Sequence, residues 1–166
     1  MLYRPKRQWP LASFIPRLSS QHARAAGIRF VDTGRPDPAT LVLAGPAASG
    51  KTHLLHALTH HARKNHAIAD SACLSASQWA QDVVWAQYHD DLQSMVQRFS
   101  QYKLLALDDI DRLWGMPTAL QAMQRVITMR EALPVRTLLT ATLYQSPVNL
   151  QPVSDWLNCQ RTVRLW

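Results

Sequence analysis

The chain has 166 residues, 47% hydrophobic, 17% charged and 8% aromatic, which excludes global disorder and allows one domain whose core covers roughly two-thirds of the unfolded surface. Its formal charge of +7 is unevenly spread: residues 1–35 carry seven basic side chains against Asp32 alone, whereas the remainder is close to balance. No apolar run approaches the roughly 20 residues that cross a bilayer, and residues 1–7 are too polar to open a secretory signal, so a soluble, cytoplasmic protein without membrane contact is expected.

The first 38 residues hold Pro5, Pro10, Pro16, Pro36 and Pro38. They read as a basic N-terminal segment (1–38) with one short helix near Ser20–Ala26, placed before a compact domain (39–166). Such a segment suits a contact with phosphates, as in non-specific nucleic-acid binding through residues 4–35, with acidic protein or with an acidic membrane surface, or equally a solvated leader. A buried strand is predicted at Leu41–Ala44 and a helix from about Gly50 to Lys64. A weaker strand follows at Ser71–Leu74, then a helix capped by Ser75 or Ser77 with Trp79, Val83 and Val84 on one side. Next come a helix over Leu92–Phe99 and an apolar strand at Leu104–Leu107. Leu120, Met123, Ile127 and Leu133 recur at helical spacing until Pro134 stops the run. Strands at Thr137–Thr140 and Thr162–Leu165 complete the pattern. Strands alternating with helices give a parallel α/β sheet.

The segment Gly45-Pro46-Ala47-Ala48-Ser49-Gly50-Lys51-Thr52 satisfies G-x-x-x-x-G-K-[ST] between a strand and a helix, the context in which this loop cradles phosphates. Its glycines let successive N–H groups point inward, and the helix start adds partial positive charge. Lys51 suits the β- and γ-phosphates, and the Thr52 hydroxyl suits a magnesium ion. Leu104–Leu107 runs into Asp108 and Asp109, the form of a Walker B strand, with Asp108 placed for magnesium and Asp109 for a water-activating base. Asp111 is expected to cap the following turn. His53, His56, His60 and His61 form a stripe that reads as packed or solvated, since no carboxylate shares their helix. Cys73 and Cys159 match no zinc or redox spacing, and the dispersed tryptophans read as anchors.

These residues resemble the AAA+ ATPase domain of the bacterial replication initiator DnaA and its shorter relative Hda. The resemblance rests on LVLAGPAASGKTHLLHAL (41–58) and LLALDDIDRLWG (104–115), the latter with Asp-Asp where most AAA+ proteins have Asp-Glu. It implies a three-layer P-loop NTPase fold with a parallel five-stranded sheet in the order 5-1-4-3-2, the P-loop strand central and the Walker B strand one position removed. It implies ATP or ADP with Mg2+ held by Gly45–His53 and Asp108, with Phe14 and Ile15 of SFIPRLSSQHARAA (13–26) against the adenine. Thr142 stands where the family carries its γ-phosphate sensor. The arginine-finger box is represented by Asp155-Trp156, with Arg161 displaced by about one position. Nothing in the chain resembles the family's helical lid or its helix-turn-helix domain, so weaker nucleotide binding than in a complete AAA+ protein is expected. The implied function is an adaptor or regulator of replication initiation that hydrolyses ATP weakly or not at all and contacts an AAA+ initiator or clamp. The alternatives are a small ATPase loading a helicase or acting on DNA and, less well matched for want of an arginine-rich lid, a small-molecule kinase.

Overall fold

The computed structural model describes residues 9–14, 20–34, 36–66 and 68–142, together with the backbone of 161–164. Five strands, β1 (Thr40–Gly45), β2 (Ser71–Ser75), β3 (Leu104–Asp108), β4 (Arg136–Thr142) and β5 (Arg161–Arg164), alternate with helices α1 (Gln21–Asp32), α2 (Lys51–Asn65), α3 (Ala76–Tyr88), α4 (Leu92–Gln101) and α5 (Pro117–Glu131). Every strand pairing is parallel, and the sheet order is β2-β3-β4-β1-β5. This is the expected order read from the opposite edge. The middle strand is β4, so the P-loop strand β1 lies one place off centre, with β4 separating it from β3.

Side-chain parity divides the core. Leu41, Leu43, Cys73, Leu104, Ala106 and Leu138 pack beneath α1 and α2, whereas Val42, Ala44, Ala72, Leu74, Leu105, Leu107, Leu139 and Ala141 pack against α3, α4 and α5. Alternate residues of a strand point to opposite faces, so a sheet buried on both sides needs apolar residues at every position. That is why these strands read as continuous hydrophobic runs. Gly27 lets α1 approach α2 closely: a Cβ there would lie 2.4 Å from Leu58 Cδ1.

A local signal sets the start of α3. Ser75 forms a capping box at the start of α3: Gln78 N donates to Ser75 Oγ, and Ser75 N donates to Gln78 Oε1. This arrangement satisfies two otherwise orphaned amides. Trp79 is fully buried and donates to the Ala119 carbonyl at 2.8 Å. Val84, expected beside it, is instead 66% exposed, because consecutive helical positions stand about 100° apart and Val83 takes the inward one. Val84, Trp85, Tyr88 and Met116 together leave an exposed apolar patch. Leu133 also departs from expectation: α5 ends at Glu131, and Leu133 lies exposed in the turn beyond it. None of the described helices is long and apolar enough to cross a membrane.

The α5 face is held by one buried cation. Arg130, with 0% exposure, donates to the carbonyls of Phe99, Ser100, Tyr102 and Arg136 and to Thr137 Oγ1. Burial pushes its pKa down to about 9, still well above neutrality, so the guanidinium keeps its charge and its donors. It ties the end of α4, the start of β4 and the end of α5 into one joint.

Candidate functional site

A cleft of about 420 Å³ opens at the carboxyl ends of the strands, where open α/β sheets place ligands. Its floor is the β1–α2 loop. Gly50 adopts φ +90, and a Cβ added there would lie 3.3 Å from Phe14 Cε2, so this position favours glycine both for its backbone and for the aromatic ring above it. Ala48 also lies in the left-handed region, at φ 58. Ala47, Ala48, Gly50, Lys51, Thr52 and His53 line the cleft; Gly45 ends β1, and Pro46 supplies a carbonyl to the lysine described next.

The Lys51 side chain folds back onto its own loop, Nζ donating to the Pro46 carbonyl at 2.7 Å. Burial lowers its pKa, opposed by the negative charge of Asp109, Asp111 and Asp108. Ser49 Oγ is buried with no hydrogen-bond partner among the described residues. An ammonium satisfied, among the described residues, only by a local carbonyl, next to an orphaned hydroxyl on a glycine loop at a helix start, fits an incoming phosphate.

Asp108, Thr140 and Thr142 share the α2 face of the sheet by parity with Ala106 and Leu138. The carboxylate of Asp108 accepts on Oδ1 from Thr52 Oγ1 at 3.1 Å and from Thr140 Oγ1 at 2.5 Å. The two residues expected around magnesium are therefore in direct contact. Asp109 leaves the strand in the left-handed conformation, φ 56, and its N–H donates to Thr140 Oγ1 at 2.8 Å. Aspartate tolerates that backbone better than most side chains because its short polar group bonds locally. The same geometry gives a reason for aspartate, rather than the longer glutamate, at this position. Its Oδ2 meets Arg112 Nε at 3.3 Å.

Thr142 ends β4 opposite Gly45 and lines the cleft with Asp109, Asp111 and Arg112. The Asp111 carboxylate bonds its own amide within the turn and also reaches beyond it, which was not expected. It is buried and accepts from the Thr142 backbone N–H at 2.9 Å, joining the turn after β3 to the end of β4. Burial raises its pKa, opposed by the Thr142 amide.

Trp9 and His53 line the cleft on its aromatic side, and the buried Phe14 packs behind His53. Trp9 stacks on His53 with ring centroids 5.4 Å apart, Phe14 meets His53 edge-on, and Ser13 Oγ lies 3.1 Å from His53 Nε2. Burial lowers the His53 pKa, which favours a neutral ring at pH 7. Ile15, Asp155 and Trp156 lie outside the described residues, as does the Arg161 side chain. Trp9, Thr140 and Arg112 were not foreseen as site residues. Thr140 was detectable in principle, since it shares strand parity with Thr142. The histidine stripe divides: His56 meets Cys73 Sγ at 3.3 Å, whereas His61 turns to Asp32 on α1. Its carboxylate comes from a different helix, which a search of α2 alone overlooks.

A parallel sheet with this order, a glycine loop opening into a helix, and an aspartate pair on the next strand but one define the P-loop NTPase class, in its AAA+ form. Residues 6–160 match the family model of the bacterial DnaA ATPase domain; the chain belongs to that family. The chromosomal replication initiator DnaA of Zymomonas mobilis is 26% identical over 143 residues, covering 86% of this chain and 29% of the relative. The AMPPCP-bound DnaA of Aquifex aeolicus superposes with a TM-score of 0.81 at 20% identity, covering 98% of this chain and 51% of that one. The DnaC helicase loader superposes at 0.73 with 17% identity, covering 96% of this chain and 98% of that one. The chain thus spans less than a third of this curated DnaA relative and about half of the DnaA structure.

Proposed function

We propose that this chain binds an adenine nucleotide with Mg2+ in the cleft and acts in the cytoplasm as a regulator or adaptor of replication initiation, with weak or no hydrolysis of its own. The observation that carries the nucleotide reading is the Lys51–Thr52–Asp108 arrangement at the head of α2. Lys51 would exchange its local carbonyl for phosphate oxygens, and the Thr52 hydroxyl and Asp108 would hold the ion, which supplies charge neutralisation between phosphates. Phe14, which packs against His53, and Ile15 are proposed for the adenine. The AMPPCP carried by the Aquifex relative supports this class of ligand.

Weak turnover follows from the other side chains. Hydrolysis needs an oriented water, a base, a γ-phosphate sensor and a positive charge at the transition state. Asp109 reaches one methylene less far than glutamate and is paired with Arg112. Thr142 offers a short hydroxyl as sensor, and the finger box lacks its usual Asp-Arg pair. An arginine finger alone is worth about 10³-fold or more in rate. A partner AAA+ initiator or clamp would then carry the output, with the basic segment 1–38 helping to dock. The exposed apolar cluster of Val84, Trp85, Tyr88 and Met116 is of the kind that protein-contact surfaces carry.

The alternative is a small active ATPase loading a helicase or acting on DNA, a reading favoured by the end-to-end fold match to the DnaC loader. Calorimetric titration with ADP and ATP in magnesium tests the cleft. Phosphate release, with Lys51→Ala as background, separates the readings: turnover near ~1 s⁻¹ overturns the adaptor and promotes the loader. Single-stranded DNA binding that falls steeply with salt would support the same change.

A further inference from the structure

Asp32 ends α1, His61 lies in the last turns of α2, and His66 caps that helix. The Nε2 atoms of His61 and His66 lie 2.9 Å and 2.8 Å from the same oxygen, Asp32 Oδ1, and the three candidate ligand atoms all fall within 4.8 Å of one another. The imidazole rings stand 6.2 Å apart at an interplanar angle of 67°, edge to face, so their nitrogens converge without stacking.

We propose that Asp32, His61 and His66 form a binding site for one divalent ion of the zinc class, clipping the carboxyl ends of α1 and α2 together. Two imidazoles and one carboxylate are the donor set such ions take, at about 2.0–2.1 Å, with an open position completed by solvent. Ligands on a tetrahedral ion stand roughly 3.3 Å apart at those bond lengths. The two nitrogen–oxygen separations therefore need to open by only about half an ångström, a motion within reach of partly exposed side chains.

The shell behind the ligands is also present. Asn65 Nδ2 lies 3.0 Å from His61 Nδ1. A metal-bound imidazole carries its proton on the other nitrogen and gives it to an acceptor. Rotating the Asn65 amide places its oxygen there without moving the backbone, and the orientation of an amide is set by its hydrogen-bond network. The ion would be remote from the cleft: His61 lies ten residues beyond Lys51 on α2, about 15 Å at 1.5 Å per residue. Its role is then a clip on the α1–α2 layer rather than a part of the phosphate chemistry, and it does not depend on nucleotide binding.

The test uses the full chain without a histidine tag, stripped with a chelator. Titration with Zn2+ alone should show one ion per chain with Kd of about 10 μM or tighter, and should raise the melting temperature by several degrees. Co2+ in its place should produce a visible absorption band of low-coordinate geometry. The double substitution His61→Gln, His66→Gln should weaken Zn2+ at least 100-fold and abolish the band, while His60→Gln, on the same helix, leaves both unchanged. Circular dichroism and urea midpoints check that the variants fold. Should the double variant fail there, His66→Gln alone, at the exposed helix cap, reads the same loss. Equal Zn2+ affinity in wild type and the folded His61 and His66 variants, or no saturable binding up to about 1 mM, overturns the site.

Discussion

Three cations are buried among the described residues, Lys51, Arg130 and Arg136, and the first two are held in opposite ways. Lys51, 5% exposed, has among the described residues a single hydrogen bond, to the Pro46 carbonyl, and three aspartates nearby. Arg130, 0% exposed, spends its donors on four carbonyls and a hydroxyl at the end of α4 and the start of β4. A lysine is a point charge on a flexible stem, whereas arginine presents a rigid fork. The first arrangement can be surrendered to a ligand. The second can only be broken, since each carbonyl left behind is a buried acceptor without a donor. Displaceable contacts on the α2 face and saturated contacts on the α5 face separate the candidate chemistry from the joint that supports it.

The sharpest way to break this contrast is Arg130→Met. It should destabilise the domain by about 3–5 kcal/mol, the range for leaving buried partners of a charge uncompensated, as read from urea unfolding. Arg130→Lys should recover part of the loss. If Arg130→Met unfolds within about 1 kcal/mol of wild type, the joint is not structural. Lys51→Ala should do the reverse. It is expected to leave the unfolding midpoint unchanged or slightly higher while lowering nucleotide affinity by about 1.5–3 kcal/mol, roughly 10- to 150-fold, by titration calorimetry. Equal ADP affinity in the two proteins would remove Lys51 from the phosphate site.

Gly50→Ala lies between these extremes, because it strains the loop backbone and presses on Phe14. A loss of about 1–2 kcal/mol of stability is expected from the left-handed φ, together with weaker nucleotide binding; no change in either would show that the loop tolerates a side chain. Asp111→Asn probes the raised carboxyl beside Thr142. Its folded pKa lies above the ordinary value of 3.8, so its contribution to stability is fully present below that value and is lost as pH rises through the folded pKa. Relative to wild type, the asparagine variant should gain stability across that interval and then level off. Unfolding curves at several pH values check the sign, and a difference that moves the other way would mean that the Thr142 amide outweighs burial. The smallest effect is expected for Arg112→Ala. This mostly exposed ion pair with Asp109 should contribute under about 1 kcal/mol, and any rise in phosphate release would show that Arg112 restrains the candidate base.

The residues most legible from the sequence are those whose reason is local. Continuous apolar runs at 41–44 and 104–107 announce a sheet buried on both faces, and the GKT loop needs its glycines because of its own backbone. Ser75 begins α3 because Gln78 stands three residues on. Periodicity misplaced Val84 and Leu133, where one helical step and one turn decide between core and solvent.

The rest depends on pairs distant in sequence. Thr140 meets Asp108 only because β4 inserts between β1 and β3. Asp111 reaches the Thr142 amide across that same pairing, and Asp32 finds His61 and His66 only because Gly27 lets α1 lie close on α2. Composition and local pattern determined that this chain forms a parallel α/β domain with a phosphate loop at a helix start, because backbone conformation and burial act over a few residues. Which carboxylate faces which hydroxyl, imidazole or amide was decided by the tertiary structure alone, because those contacts exist only once the strands and helices have packed.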